Sequence, residues 1–383
     1  MVQFFLELSM LSKVIYILLI FTFFYQLFQW LGFSAIAAFK QHRYKDSGEE
    51  LPSVSVVIVV EESSKSYLER EIEKILIQKY EGDWEVVVVN DCGGLEITDE
   101  LEMLQQRYSN LRFTEIRKDV KFSHSRKFPL SLGIKAARFE NIVVADPSAS
   151  PTSKLWLKQM ASGFRGGKIV VGYTGFRSGT SGFIRSSRLM SSIRWLSAAI
   201  ADRPYRGIFN NLGYNREAFF QSNFTHLRLA TGEDDLFIQK LETMFNCNVV
   251  ISPRSTMRQY AYGGLRWWWA EQRYRNYGMK FYPFSVRFKI LMELVVKVLF
   301  FASVSYVALD SLLWGGAQWA WVAAAGVFVL REFIVWWAAR RIMRRLGEKK
   351  MLFAFMVYDI INPFTEAALR LSLKLKKPST VWK

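Results

Sequence analysis

Two carboxylates in the amino-terminal half of the chain stand where a sheet would present them to a ligand. Asp146 directly follows the apolar run Ile142–Ala145, and Pro147 cannot continue a strand. Asp91 ends an earlier apolar run that begins at Trp84. In open α/β sheets, ligands bind beyond the carboxyl ends of the strands. We therefore expect Asp91 and Asp146 to end neighbouring strands and to border one crevice.

Basic side chains supply the complementary charge. Lys127 precedes the helical segment that leads into the Asp146 strand, and Arg273 and Arg275 follow three consecutive tryptophans. The guanidinium fork of arginine matches phosphate oxygens, so the second segment suits a diphosphate. The same basic aromatic pattern is also typical of a helix on a membrane surface. These residues leave both interpretations open.

A third group is acidic and consists of Glu233, Asp234 and Asp235, which precede an amphipathic segment. Thr231 with Asp234 forms a capping-box pattern, and acids suit a helix N-terminus. Three consecutive acids exceed what capping needs, however. Neighbours on a helix point about 100° apart, so only one of the two aspartates can face a given site.

The segments around these residues alternate between strands and helices. The predicted strands are Val54–Val60, Trp84–Val89, Leu111–Ile116 and Ile142–Ala145. The predicted helices are Tyr67–Lys79, Leu101–Tyr108 and the segment that starts near Lys127. Continuous β-branched runs such as VSVVIVV are typical of strands buried on both faces. The alternation predicts an α/β domain with a Rossmann-like, mostly parallel sheet.

Long apolar segments flank this domain. Val14–Phe39 carries no charge and is long enough to span a bilayer, which we interpret as an uncleaved anchor rather than a signal peptide. A second apolar block predicts a helical hairpin over about 289–309 and 312–337, turning near Gly315. Beyond it, Phe364–Lys377 mixes leucines with basic residues, which favours a helix on the membrane surface or a solvated tail.

Loop charges predict the orientation. Basic residues follow both the first span and the hairpin, whereas the hairpin turn has none. The positive-inside rule then places residues 40–287 and the carboxyl terminus in the cytoplasm. The predicted organisation is an N-terminal anchor (1–39), an α/β domain (40–287), a transmembrane hairpin (288–339) and a basic, partly amphipathic cytoplasmic tail (340–383). This describes a multi-pass protein of the inner (cytoplasmic) membrane.

Composition narrows the function classes. Lys and Arg exceed Asp and Glu by 51 − 34 = +17, a balance that suits nucleic acid, an anionic membrane face or phosphate-bearing substrates. The acidic cluster and the lack of a recognition motif argue against nucleic acid. Two cysteines predict neither a disulfide framework nor a zinc site.

In this order the motifs resemble those of the family-2 glycosyltransferases of the GT-A fold, in particular membrane-anchored bacterial members. The resemblance covers about residues 50–280. VSVVIVV looks like the first strand, Val89–Asp91 like the strand end that contacts the nucleotide base, and Ala145–Pro151 like the segment with the DxD metal motif. Gly232–Asp235 resembles the acidic motif with the catalytic base, and Gln272–Arg275 is similar to the QxxR part of QxxRW. The chain departs from the family pattern at four places. Ser148 replaces the second DxD aspartate, and Asn276 replaces the expected tryptophan. Cys92–Leu95 stands where the family has a small-x-Asp pattern, and Glu61–Ser63 stands where it has Asn-Glu.

The resemblance implies an inverting, hexosyltransferase-like enzyme that moves a sugar from a nucleotide-sugar donor, such as a UDP-sugar, to an envelope glycan or a lipid-linked acceptor. It implies that the base lies within the acidic group Glu233, Asp234 and Asp235. Counting back from Lys240 favours Asp234, and counting from Leu236 favours Asp235. The implied donor-binding residues are Asp91, Lys127, Asp146, Gln272, Arg273 and Arg275. Asp146 would hold Mg²⁺ or Mn²⁺, and membrane lipid is a further implied partner.

An alternative keeps the fold and discards catalysis, as a degenerate transferase that binds a nucleotide sugar or a partner protein. Ser148 is the residue that separates the two hypotheses, because a single carboxylate is a minimal metal site. Donor hydrolysis by the purified protein distinguishes them.

Overall fold

The fold comes from a computed structural model, which describes residues 10–40, 50–91, 93–116, 127–222, 233–261, 263–313 and 318–375. The strands are β1 Val54–Val60, β2 Trp84–Asp91, β3 Leu111–Ile116, β4 Asn141–Ala145, β5 Ala149–Pro151, β6 Ile169–Gly172, β7 Thr174–Phe176, β8 Leu212–Asn215, β9 Cys247–Val250 and β10 Met257–Gln259. The bounds of β1 and β3 are those that the sequence predicts.

The helices occupy both faces of the sheet and both ends of the chain. They are α1 Met10–Ala38, α2 Lys65–Arg70, α3 Glu73–Leu76, α4 Gly94–Arg107, α5 Lys127–Ala136, α6 Trp156–Ala161, α7 Gly182–Ile200, α8 Arg216–Gln221, α9 Glu233–Glu242, α10 Leu265–Gly278, α11 Phe284–Leu313, α12 Gln318–Leu346 and α13 Leu352–Leu375. The single helix predicted over Tyr67–Lys79 is two short helices, α2 and α3, and α4 begins seven residues before the predicted Leu101.

The described strands form a seven-stranded sheet in the order β3-β2-β1-β4-β8-β6-β9 and a three-stranded sheet in the order β5-β10-β7. Strands β1 to β4 are parallel, β8 is antiparallel to β4 and β6, and β9 is parallel to β6. The prediction of an α/β domain with a mostly parallel sheet is confirmed. All seven residues of β1 are buried, as its continuous β-branched run requires.

Alternating side chains of β1 enter two different cores. Val54, Val56 and Ile58 pack with α2, α3, α4 and α6, whereas Val57 and Val59 pack with α5 and α7. The second core also contains apolar residues of α1, α12 and α13. Helices α1, α12 and α13 therefore pack against the α/β domain in one hydrophobic core.

Four of the described helices, α1, α11, α12 and α13, are long and apolar enough to cross a membrane. The first three overlap the segments predicted as an anchor and a hairpin, and the expected turn at Gly315 lies outside the described residues. The predicted surface helix differs more: α13 begins at Leu352 rather than Phe364.

Helix α13 has two contrasting faces. Its exposed face is a stripe of large apolar side chains, Phe353, Val357, Ile360, Phe364, Leu371 and Leu375. Its buried face carries both apolar and polar residues, Phe355, Tyr358, Asp359, Asn362 and Leu369, and packs against α7 and α10 of the α/β domain. Because a water-soluble helix exposes polar residues, the apolar exposed face of α13 suits contact with lipid, while the opposite face contacts protein.

Charged residues join the apolar helices inside the protein. Asp359 of α13 accepts a hydrogen bond from Lys297 of α11, at 2.6 Å, and forms an ion pair with Arg331 of α12. Arg331 also donates to Gln26 of α1, at 3.0 Å. Because buried charges are costly unless paired, this network selects one arrangement of the four helices.

The turn between α12 and α13 is anchored to the α/β domain by Glu348. Its buried carboxylate accepts hydrogen bonds from Tyr173, at 2.9 Å, from Arg185, at 2.9 Å, and from Arg258. Ion pairs, as well as the shared hydrophobic core, thus fix the position of the apolar helices relative to the α/β domain.

Candidate functional site

The two predicted carboxylates lie at the same edge of the sheet. Asp91 is the last residue of β2, and Asp146 follows β4. Since β1, β2 and β4 are parallel, their carboxyl ends meet at this edge. The expectation that the two strands are neighbours is wrong, because β1 lies between them. Strand order depends on which crossovers pack best, and strand sequences alone do not encode it.

Asp146 forms a tight turn with the residue that replaces the second family aspartate. Its Oδ1 accepts a hydrogen bond from the backbone N–H of Ser148, at 2.8 Å. The Ser148 carbonyl accepts from the N–H of Tyr260, at 2.8 Å, and its hydroxyl accepts from Gln259 Nε2, at 3.3 Å. Strand β10 thus supports the turn, although no sequence motif pointed to Gln259.

Gln259 connects this turn to a buried arginine. Its Oε1 accepts a hydrogen bond from Arg188 Nη2, at 3.0 Å. The Arg188 guanidinium lies 4.5 Å from the ring centroid of Phe176, and its side chain is buried. Its Nη1 has no hydrogen-bond partner among the described residues. An arginine held this way has donor capacity left for a ligand.

Two other arginines, Arg275 and Arg206, lie close enough to Arg188 to affect its pKa. Burial lowers the pKa of its guanidinium to about 9, and repulsion from Arg275 and Arg206 acts in the same direction against attraction by Glu271. A group of arginines in which the positive charge is destabilised is electrostatically complementary to an anion.

The predicted QxxR segment lies on α10, close to this arginine. Arg275 donates a hydrogen bond to Glu271 one turn earlier, at 2.7 Å. The positive charge of Arg275 lowers the pKa of Glu271 more than burial raises it, so this pKa is below its usual value. Gln272 and Arg275 line a small cavity, and Arg273 is half-buried. Of the predicted donor residues on α10, Arg275 lies near enough to Arg188 to lower its pKa by repulsion. Arg188 in turn donates to Gln259, which supports the Ser148 turn.

The acidic group is only partly described. Glu233 and Asp234 are the first residues of α9, and their side chains lie outside the described part of the chain. Asp235 is buried, with 5% of its surface exposed. It accepts a hydrogen bond from the Tyr282 hydroxyl, and its Oδ1 lies 3.5 Å from Arg206 Nε. Burial and, secondly, the negative charge of Asp235 raise the pKa of Tyr282 well above its usual value. The Tyr282 hydroxyl therefore stays protonated and can donate its hydrogen bond.

Lys127 is the first residue of α5 and is buried, with 6% exposed. The helix packs very close to the sheet at Gly133, where an added Cβ would lie 2.6 Å from Val57 Cγ1. Close packing therefore holds the start of α5 firmly against β1 and β2.

A cavity of about 60 Å³ lies between the α/β domain and the apolar helices. Its walls come from α7, α10, α11 and α13, and include Arg206 and Tyr282, the partners of Asp235. Its volume is enough for a few water molecules. The cavity borders the QxxR helix α10 and the apolar helices α11 and α13, and two of its lining residues, Arg206 and Tyr282, contact Asp235 of the acidic helix α9.

A second polar cluster, centred on Glu71, lies beside the Asp146–Ser148 turn. Glu71 accepts hydrogen bonds from Arg177, at 2.6 Å, and from the Tyr260 hydroxyl, at 2.6 Å, while Arg177 also donates to Ser150. Burial raises the pKa of Glu71, but these donors and Lys74 outweigh it and hold the pKa at about 2. The cluster therefore stays charged at neutral pH and keeps β5 and β10 together.

No group of three His, Cys, Asp or Glu side chains within the described ranges could by itself hold a metal ion. At the turn the available ligands are the Asp146 carboxylate and the Ser148 hydroxyl. Mg²⁺ is often bound by one or two carboxylates together with substrate phosphates and water. The residues present fit a divalent ion only if a phosphorylated ligand completes its coordination.

Sequence reasoning missed Arg188, Arg206, Gln259 and Tyr282. Arg188 left a signal: it lies in a segment rich in Leu, Ile, Met and Trp, where an arginine must be buried and therefore needs partners. Gln259 and Tyr282 left none, because their importance comes from residues distant in the sequence.

The fold is similar to that of a solved glycosyltransferase. The chain is similar to the mannosyltransferase PcManGT from Pyrobaculum calidifontis, solved with GDP-Man and Mn²⁺, with a TM-score of 0.54, 14% identity, 93% of this chain covered and 99% of that chain. It also matches residues 1–349 of S. aureus TarS in complex with UDP-GlcNAc, with a TM-score of 0.41, 14% identity, 81% of this chain covered and 91% of that chain. No family model matches the chain, and no curated protein sequence does. At these identities the first likeness shows a shared fold, so the prediction of a glycosyltransferase fold is confirmed at that level.

Proposed function

We propose that the chain is an inverting glycosyltransferase of the family-2, GT-A type, which uses a nucleotide-sugar donor and a glycan or lipid-linked acceptor at the cytoplasmic face of the membrane. The observation that carries the proposal is the buried Arg188, with an unpartnered Nη1 among the described residues, next to the Asp146–Ser148 turn. A donor diphosphate would supply the missing acceptor atoms and neutralise the surrounding arginines.

The roles of the residues follow from this placement. Arg188, Arg275 and Arg273 would stabilise the departing diphosphate, and Asp91 would contact the nucleotide at the same sheet edge. Lys127, Gln272 and Asp146 complete the proposed donor site, and Asp146 would bind Mg²⁺ or Mn²⁺ together with the diphosphate. A bound ion would add positive charge at the leaving group. The mannosyltransferase with the same fold was solved with GDP-Man and Mn²⁺, which supports both the donor class and the ion.

An acceptor anchored in lipid is supported by the 60 Å³ cavity, because its walls combine domain helices with the apolar helices α11 and α13. A base in the acidic group at the start of α9 would take the proton of the acceptor hydroxyl. The sugar would pass directly from the diphosphate to that hydroxyl, which inverts the anomeric centre.

Calorimetry on the purified full-length protein tests the donor site. We expect UDP or GDP to bind more tightly with Mn²⁺ than with EDTA, and Arg188→Gln to weaken binding by about 10- to 100-fold, as for a lost hydrogen bond to a charged group. The matched control is Arg203→Gln, which removes an exposed arginine just beyond α7 and should leave the affinity unchanged.

Three results would count against the proposal. Equal affinity of the Arg188→Gln and Arg203→Gln variants would remove Arg188 from the donor site. Absence of nucleotide binding by the folded wild type would overturn the glycosyltransferase assignment. Donor binding with neither hydrolysis nor transfer would establish the degenerate alternative.

A further inference from the structure

An open cavity of about 530 Å³ lies where α1 and α12 end, away from the Arg188 group. Its lining residues are Ala37, Pro253, Trp336, Trp337, Arg340, Arg341, Arg344 and Arg345. None of them lines the smaller cavity beside Asp235. The volume is within the usual range for a small-molecule ligand.

The cavity has a strong positive charge. The four arginines come from the last two turns of α12, where positions 340, 341, 344 and 345 share one side of the helix. Within the described ranges, no carboxylate forms an ion pair with Arg340, Arg341 or Arg344. Three guanidinium groups therefore face the cavity region without an acidic partner from the described residues.

Tryptophans hold two of these arginines in place. The Arg340 guanidinium lies 5.3 Å from the ring centroid of Trp336, and the Arg341 guanidinium lies 4.7 Å from that of Trp337. Stacking on an aromatic ring orders an arginine side chain while its N–H groups stay available. Arg345 is anchored differently, by donating to the Phe39 carbonyl at 2.7 Å. The donors are thus ordered before any ligand arrives.

The position of the cavity points to a lipid. Helices α1 and α12 are both apolar enough to cross a membrane, and tryptophans and arginines at the end of such helices are typical of the headgroup level. The α12 turns that precede Trp336 expose Val329, Leu330 and Phe333, which would lie against acyl chains. A free phosphate would make no use of this apolar surface.

We propose that this cavity binds the phosphate headgroup of an anionic phospholipid from the surrounding bilayer. The arginines of α12 donate to the phosphate oxygens, and the acyl chains lie on the exposed face of α12. A lipid bound here bridges α1, α12 and the loop at Pro253, so it ties the anchor to the α/β domain. The proposal does not depend on which reaction the domain catalyses.

Native mass spectrometry of the full-length protein with phosphatidylglycerol and phosphatidylcholine tests the site. We expect phosphatidylglycerol to bind in preference, and the triple variant R340Q/R341Q/R344Q to bind it roughly 100-fold more weakly, since each juxtamembrane arginine contributes about fivefold. The control R287Q/K289Q/K350Q removes the same charge from exposed juxtamembrane residues outside the cavity and should retain the preference. Glycerol phosphate added in excess should not displace the lipid.

Four outcomes would overturn the proposal. They are equal binding of the two lipids, unchanged phosphatidylglycerol binding by the triple variant, an equal loss in the control, and displacement by glycerol phosphate, which would assign the site to a soluble anion. The three arginines are exposed, so the variants should melt at the wild-type temperature. If the triple variant does not fold, the single variants R340Q, R341Q and R344Q must each weaken lipid binding for the proposal to stand.

Discussion

Asp235 has neighbours that explain its position without assigning it the chemistry. Its buried carboxylate lies against Arg206 and accepts the Tyr282 hydroxyl, and both partners also line the cavity between the domain and the apolar helices. A carboxylate engaged in this way holds α9 against the segment before α11. Adjacent positions on a helix are about 100° apart, so only one of positions 234 and 235 can face a given site. We therefore keep Asp234 as the proposed base and assign Asp235 a positioning role.

These roles predict different consequences for the two substitutions. Asp234→Asn keeps the shape and removes the basicity, so turnover should fall by about 10²–10⁴-fold while calorimetric donor affinity and melting temperature stay unchanged. Asp235→Asn should instead destabilise the protein by about 1–3 kcal/mol, because Arg206 and Tyr282 lose a charged partner. Thermal unfolding and donor turnover, measured on both variants, separate the effects.

The reverse pattern would contradict the assignment. If Asp235→Asn loses turnover at an unchanged melting temperature, Asp235 is the base. If neither variant changes turnover by more than a few-fold, the acidic group only caps α9 and the degenerate alternative gains support.

Among the secondary-structure elements, α13 depends most on partners elsewhere in the chain. Asp359 is completely buried and faces two cations, Lys297 of α11 and Arg331 of α12. Removing one partner from a buried charge group leaves the others uncompensated, which costs far more than the group contributes as a whole.

We expect Asp359→Asn to destabilise the protein by about 3–5 kcal/mol, because two buried cations lose their carboxylate. The matched control is Asp310→Asn on α11, which makes the same chemical change at a half-buried aspartate without an ion pair to the described residues. Thermal unfolding in one detergent compares the two variants. Equal melting temperatures would show that the network is not required for helix packing.

For the molecule as a whole, α1, α12 and α13 share a hydrophobic core with the domain, and Glu348 adds buried ion pairs. Helix α11 is joined to α13 by the Lys297–Asp359 ion pair and to the domain by the Glu293–Arg194 ion pair. The orientation of the molecule across the membrane rests on charge. Basic residues follow α1 and lie in the last turns of α12, whereas the residues between α11 and α12 carry no Lys or Arg. The positive-inside rule then predicts a cytoplasmic α/β domain.

Cysteine labelling of intact cells tests this orientation. A membrane-impermeant maleimide should modify a cysteine introduced at position 315, between α11 and α12, and should not modify one that replaces the exposed Lys135 of α5. Cys92→Ser removes one native thiol, and burial raises the pKa of the Cys247 thiol to about 12, so Cys247 should stay unmodified. Permeabilised cells provide the control, since Lys135→Cys must then react. Labelling of Lys135→Cys in intact cells would reverse the orientation and rule out a cytosolic donor.

Much of the fold follows from local sequence patterns. The bounds of β1 and β3, the buried strand before Asp146 and the long apolar helices all reflect hydrophobic periodicity within a few residues, and hydrophobic burial acts on every such segment in the same way. The sheet edge that carries Asp91 and Asp146 also follows, because parallel strands share their carboxyl ends.

What only the tertiary structure decided involves residues distant in the chain. The order of the strands, with β1 between β2 and β4, results from helix packing on both faces of the sheet. Ser148 and Gln259 are 111 positions apart, and Arg188 and Gln259 are 71 apart, so their hydrogen bonds exist only after the whole domain has packed. Asp359 meets Lys297 and Arg331 for the same reason. A sequence shows which side chains can pair, but only the packed chain determines which of them come within hydrogen-bond distance.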